Sequence, residues 1–132
     1  MKGTVKADTD PILDVGTKVF EITDTRDGET KAGVPKVVCS LIVLGGADKG
    51  SRIKHTVNFF PDGHDAAWVS KAFMSAIGVE RDLVTNEFQY DTEDWPGRKF
   101  VADLEHGDYN GQKQNKLRKI RAYNGQDAET PF

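Results

Sequence analysis

With 132 residues, the chain is long enough for one hydrophobic core and too short for two of ordinary size. Apolar residues at 37% and charged residues at 30% allow a packed domain with a wet surface and exclude an intrinsically disordered chain. A formal net charge of -3 would argue against a polyanion partner if the charge were spread evenly, but binding follows the local field.

The longest apolar run, Val37 to Leu44 with one serine inside, falls far below the roughly 20 residues that span a bilayer. The N-terminus has no basic-then-apolar leader pattern. A cytoplasmic protein without a membrane partner is therefore expected. The single cysteine, Cys39, excludes an internal disulfide, and its apolar setting reads as a buried structural thiol.

Residues 1–15 carry no sustained period and read as a loosely held N-terminal arm. From Thr17 to Thr23 the alternation is that of a half-buried strand, closed by a turn-rich, flexible loop from Asp24 to Gly33 that bears Arg26 and Lys31. The second strand, Lys36 to Leu44, is apolar on both parities, as in a strand covered on both faces or curling into a closed barrel. In the third, Arg52 to Phe60, Ile53, His55, Val57 and Phe59 face a core, while Arg52, Lys54, Thr56 and Asn58 form a cationic, wet face.

Pro61 and Gly63 end that strand. Asp62 or Asp65 is expected to cap a helix through Ile77, with Val69, Phe73, Ala76 and Ile77 as its buried stripe, Trp68 packing beside it and Gly78 as terminator. Glu80 to Pro96 holds six acidic side chains and one basic one, with Leu83, Phe88, Tyr90 and Trp95 as anchors, and reads as a long connection laid over the domain. Phe100 to Glu105 is a fourth strand, His106 to Asn115 a loop, and Lys116 to Tyr123 a fifth strand. Leu117 and Ile120 fall on opposite parities there, which calls for a bulge or strong coiling.

Three strands, a helix and a final hairpin are the element order of an OB-fold, a five-stranded, partly open barrel that binds oligonucleotides on strands two and three and the neighbouring loops. The fold expected is thus mainly β: a five-stranded OB-fold barrel over residues 16–123, one α-helix between strands three and four, and a flexible acidic C-terminal tail over residues 124–132.

Basic side chains gather in two places. Lys31, Lys36, Lys49, Arg52 and Lys54 lie around strands two and three, and Lys113, Lys116, Arg118, Lys119 and Arg121 follow one another on the last hairpin without an acidic residue between them. In an OB barrel both regions flank one groove, where neutralised phosphates give affinity without sequence choice. Tyr109, between the last two strands, is the foremost candidate for base stacking. Phe60 and Tyr123 are further candidates that serve equally as packing residues. In the tail, Asp127, Glu129, Pro131 and Phe132 make a short peptide suited to a basic-rimmed pocket on a partner, or to competing for the chain's own basic groove.

Catalysis has no visible seat. His55, His64 and His106 match no standard metal spacing, and neither a phosphate-cradling glycine loop nor a Gly-x-Ser-x-Gly elbow is present. No catalytic residue, metal or cofactor is assigned.

Several short segments, in order, carry a resemblance: Gly33-Val34-Pro35-Lys36, Lys49-Gly50-Ser51-Arg52, Ala76-Ile77-Gly78, Pro96-Gly97-Arg98-Lys99-Phe100, and Asn110-Gly111-Gln112 followed by Asn115-Lys116. With them the chain resembles the small bacteriophage single-stranded DNA-binding proteins of OB fold. Its tail is similar to the acidic tip, closing in Pro-Phe, of bacterial single-stranded DNA-binding proteins, although only two acidic residues stand in it here. The resemblance implies an accessory of DNA replication, recombination or repair in a bacterial host cytoplasm, coating single strands and recruiting replication or recombination proteins through the tail. A second copy of the chain is a further candidate partner. An adaptor whose barrel and tail bind such a protein, with nucleic acid incidental, is the alternative.

Overall fold

Alternation of large apolar and polar side chains sets the sheet, and in the computed structural model it runs through five antiparallel strands. The structure describes residues 1–3 and 10–125, Tyr109 through its backbone. The strands are β1 (Gly16–Glu29), β2 (Pro35–Val43), β3 (Arg52–Asn58), β4 (Lys99–Tyr109) and β5 (Gln112–Ala122), with helix α1 (Ala67–Ala76) between β3 and β4. The order across the sheet is β3-β2-β1-β4-β5, which leaves β3 and β5 as its two edges. Helix α1 packs against both of those edge strands.

Strand β2 shows how the core is made. Val37, Cys39, Leu41 and Val43 are buried, and the residues between them are half-buried. The apolar outward positions Val38 and Ile42 thus lie on a partly open face. Register carries the inner pattern across the sheet: Leu41 stands opposite Ile22 on β1 and Ile53 on β3, and Phe20 opposite Val43 and Phe100. Burial holds the Cys39 thiol up at about 12, helped by the Asp27 carboxylate, so the thiol is an inert core group.

The helix closes this core with Phe73, Ala76 and Ile77 of the expected stripe, but Val69 and Trp68 are left outside it. Ala67, Ser70, Phe73, Met74, Ala76 and Ile77 are buried, while Val69 is 40% and Trp68 66% exposed. The small residues Ala67 and Ser70 extend the buried face at the start of the helix. Neither Asp62 nor Asp65 caps the helix: Asp62 pairs with Lys71 at 2.8 Å, and the Ala66 N–H donates to His64 Nδ1 at 3.0 Å. Gly78, at φ 83°, ends the helix in the left-handed region, with the Val79 N–H donating to the Met74 carbonyl. Phe73 sits in an aromatic group, its ring 5.2 Å from Phe100, 5.7 Å from Trp95 and 5.5 Å from His55.

Two connections are shorter than expected. Strand β1 continues through Arg26 to Glu29, so the β1–β2 turn is only Thr30 to Val34, held by Thr30 N–H to Val34 O at 2.9 Å and Val34 N–H to Thr30 Oγ1 at 3.1 Å. His106 to Asn115 is likewise not a loop. Asn110 and Gly111, at φ 51° and 78°, form a two-residue turn that lets β4 and β5 pair almost to their tips. The bulge in β5 lies between the Val101–Arg121 and Asp103–Arg118 pairs, with Lys119 at φ 52°. It turns both Leu117 and Ile120 against the core.

The end of the N-terminal arm is strapped down, contrary to its sequence reading as loosely held. Leu13 is 2% exposed within the core cluster. Its N–H donates to Asn115 Oδ1 at 3.0 Å, its carbonyl lies 2.6 Å from His106 Nε2, and Asn115 Nδ2 donates to the Pro11 carbonyl at 2.7 Å. On the other side the Lys54 N–H of β3 donates to Asp10 Oδ2 at 2.8 Å. Residues 10–13 therefore join the two edges of the sheet. Leu13→Ala is expected to cost about 2–4 kcal/mol of stability, read as a lower urea midpoint, because a buried leucine is truncated at the seam.

Candidate nucleic-acid interface

The outward face of β2 and β3 places a cation in three of its four rows, the Val38–Thr56 pair being the uncharged one. Lys36 stands opposite Asn58, Ser40 opposite Lys54, and Ile42 opposite Arg52. Arg52 and Lys54 are exposed and Lys36 half-buried. Lys36 lies across Gly28, where a Cβ would stand 3.5 Å from its Cε. Among the described residues none of the three is ion-paired. Lys31 is exposed on the β1–β2 turn at the same end as Lys36.

Beyond that end lies an open groove of about 380 Å³, lined by Asp27, Gly28, Pro35, Lys36, Phe59, Tyr90, Asp91 and Thr92. Its aromatic wall is a stacked pair: Phe59 and Tyr90 with ring centroids 4.9 Å apart and planes within 5°. The buried Trp95 ring lies behind them, 6.2 Å from Tyr90. Tyr90 keeps 46% of its surface open. Burial, and then the Asp27 carboxylate, push its phenol above the ordinary range. A single 3₁₀ turn, Thr92–Asp94, builds the far wall. The Thr92 hydroxyl donates to Asp27 at 2.8 Å, the Thr25 hydroxyl donates to the Thr92 carbonyl at 3.0 Å, and Asp91 Oδ1 accepts the Glu93 N–H at 3.0 Å. The sequence marked Tyr90 only as an anchor of a long connection, since its partner Phe59 is distant along the chain and on the core parity of β3.

The stackers expected from the sequence are Phe60, Tyr123 and Tyr109. Phe60 stacks on His64, centroids 4.1 Å apart and planes within 8°, so one face of its ring is already covered. Tyr123 is half-buried just past β5 and is engaged within the chain. The Tyr109 side chain and the tail residues Asp127, Glu129, Pro131 and Phe132 lie outside the described residues.

His55 lies on the inner face of β3 with its ring 5.5 Å from that of Phe73, and burial lowers its pKa to about 4. It is a neutral packing group at pH 7.

The second basic cluster occupies the far edge of the sheet. Lys113, Lys116, Arg118, Lys119 and Arg121 are exposed on β5, but β4 sets acids against them, with Asp108 opposite Lys113, Glu105 opposite Lys116 and Asp103 opposite Arg118. Arg118 Nε lies 3.2 Å from Glu105 and Arg121 Nη1 3.3 Å from Asp103. The Thr17 hydroxyl, donating at 2.8 Å, and the Arg121 charge keep the Asp103 carboxyl below the usual range. The purity of the basic run along the sequence is thus offset across the sheet. The structure sets Lys36, Lys54 and Arg52 along one outward face of β2 and β3, and the β5 cations on the other edge strand of the sheet.

No family model and no curated protein matches the sequence.

Proposed function

We propose that this protein is an OB-fold single-stranded DNA-binding protein without catalytic activity, serving DNA replication, recombination or repair. The observation that carries this reading is the unpaired row of Lys36, Arg52 and Lys54 on the outward face of β2 and β3, leading into a groove walled by aromatic rings. Strand order and helix position support the OB reading, in which β3 and β5 would curl toward one another and the β2–β3 face would receive the nucleic acid. Along β3, alternate residues lie about 7 Å apart, a spacing suited to successive phosphates of an extended strand. In this reading Lys31 extends the track at the turn. Lys116 and Lys119, which are not ion-paired among the described residues, add long-range attraction.

A titration tests it. A fluorescent oligo-dT should bind more tightly than a duplex of equal length, with affinity falling steeply as salt rises. Equal affinity for the two, or indifference to salt, would rule the proposal out.

The adaptor alternative draws on Leu83 and Val84, 85% and 94% exposed at a turn whose amides donate to Asp82, at 2.8 Å from Val84 and 3.1 Å from Thr85. On that reading the oligonucleotide titration shows no single-strand preference.

A further inference from the structure

The Phe59–Tyr90 groove has more than aromatic walls. Lys36 and the carboxylate residues Asp27 and Asp91 line it as well. Asp91 Oδ1 accepts the Glu93 amide, while Oδ2 accepts no hydrogen bond from the described residues. Among the described residues Asp27 takes only the Thr92 hydroxyl, shared between its two oxygens at 2.8 and 3.1 Å, and each carboxylate retains lone pairs. Tyr90 is backed by Phe59 on one side and held near Trp95, so its ring is fixed while nearly half of it stays open.

We infer that this groove seats one nucleobase, stacked on Tyr90, with its phosphate toward Lys36 and its exocyclic amino group donating to Oδ2 of Asp91. The inference rests on the single-strand reading and adds to it a base preference. A ring stacked on a tyrosine face is sequence-tolerant, because every base has such a face. Carboxylates are not tolerant. They accept hydrogen bonds from the amino group of cytosine, adenine or guanine, whereas thymine turns two carbonyl oxygens toward its surroundings and has no exocyclic amino donor. The groove therefore favours cytosine over thymine on an otherwise indifferent cationic track. Its acidity also keeps the phosphate on the Lys36 side, which orients the strand.

The experiment compares short oligo-dC, oligo-dT and an abasic deoxyribose-phosphate oligomer of the same length at low salt, using the full chain, Tyr90→Ala, Tyr90→Phe and Asp91→Asn. For the unaltered chain, oligo-dC should bind several-fold more tightly than oligo-dT. Tyr90→Ala should lose about tenfold in affinity for oligo-dC, with the salt slope unchanged and abasic affinity unaltered, and Tyr90→Phe should retain binding. Because Tyr90 also packs on Phe59, Asp91→Asn gives an independent reading. Asp91 is exposed, and asparagine still accepts the Glu93 amide. This variant should bring oligo-dC down to the oligo-dT level without changing the salt slope.

Equal binding of oligo-dC and oligo-dT by the unaltered chain would overturn the inference. So would a Tyr90→Ala loss that extends equally to the abasic oligomer. If no oligomer binds at all, the single-strand reading falls as well, and that result is distinct from binding that ignores Tyr90.

Discussion

Replacing Lys36, Arg52 and Lys54 together by alanine should lower affinity for a single-stranded oligomer on the order of a hundredfold at low salt. Each phosphate contact on a single strand contributes about 0.7 to the slope of log affinity against log salt, so removing three should flatten that slope by about 2. The two readouts are linked: the loss must shrink as salt rises, and both come from one titration series. The β5 arginines provide the contrast. Arg118→Ala with Arg121→Ala removes two cations that already face Glu105 and Asp103, leaving those carboxylates exposed, and the change in salt slope should stay well below that of the triple variant. If the two variants behave alike, the phosphate track is not the β2–β3 face. Arg52 and Lys54 are exposed, so thermal unfolding of the triple variant should move little.

Phe73→Ala should be the most damaging single change, costing about 3–5 kcal/mol out of a typical total of about 5–15 kcal/mol. The ring is 1% exposed and touches the sheet, the helix connection and His55 at once. The effect also has a signature in pH. In the folded chain the His55 pKa is lowered to about 4 from an ordinary 6.5. Between those values the unfolded chain binds a proton that the folded chain refuses. The corresponding stability is therefore fully present above pH 6.5 and is lost as pH falls toward 4. Removing the Phe73 ring readmits water to the imidazole and should raise its pKa. The dependence of unfolding free energy on pH over this window should then flatten as overall stability drops. Urea unfolding at pH 7 and pH 5, with imidazole titration by NMR, measures both. A variant with an unchanged pH slope would assign the desolvation of His55 to other neighbours.

Much of the sheet is legible along the chain because alternation is a local property. The inward parity of Ile53, His55 and Val57 is plain from residue type, and the need for a break between Leu117 and Ile120 follows from their clashing parities. What is not legible depends on partners far away. The buried face of α1 begins with Ala67 and Ser70, and nothing local says that these small residues are covered while the larger apolar surface of Trp68 is left open. Strand β1 runs on through Asp24 to Glu29, turn-prone residues held extended by pairing with β2. Leu13 looks unremarkable in a polar arm until Asn115 and His106, about a hundred residues on, take up its backbone groups.

The candidate interface divides in the same way. That Arg52 and Lys54 share a wet face is visible from their spacing, and Lys36 joins them through antiparallel register. The basic run of β5 misleads because its neutralising acids stand on β4, at positions defined by the hairpin turn. The groove is hidden for a further reason: Phe59 follows the core parity of β3 and packs against the core, its amide donating to the Pro35 carbonyl, and its stacking partner Tyr90 lies far along the chain.

The hydrogen bond from Lys54 to Asp10 has a consequence for solubility. Strand β3 is an edge, and an edge strand offers amides and carbonyls on which a foreign strand can begin to pair. Asp10 occupies one of those amides, and the charges of Arg52 and Lys54 flank it. Replacing Asp10 by alanine would leave that amide open as a starting point for strand addition by a neighbouring chain, so one carboxylate serves there as a guard against clumping.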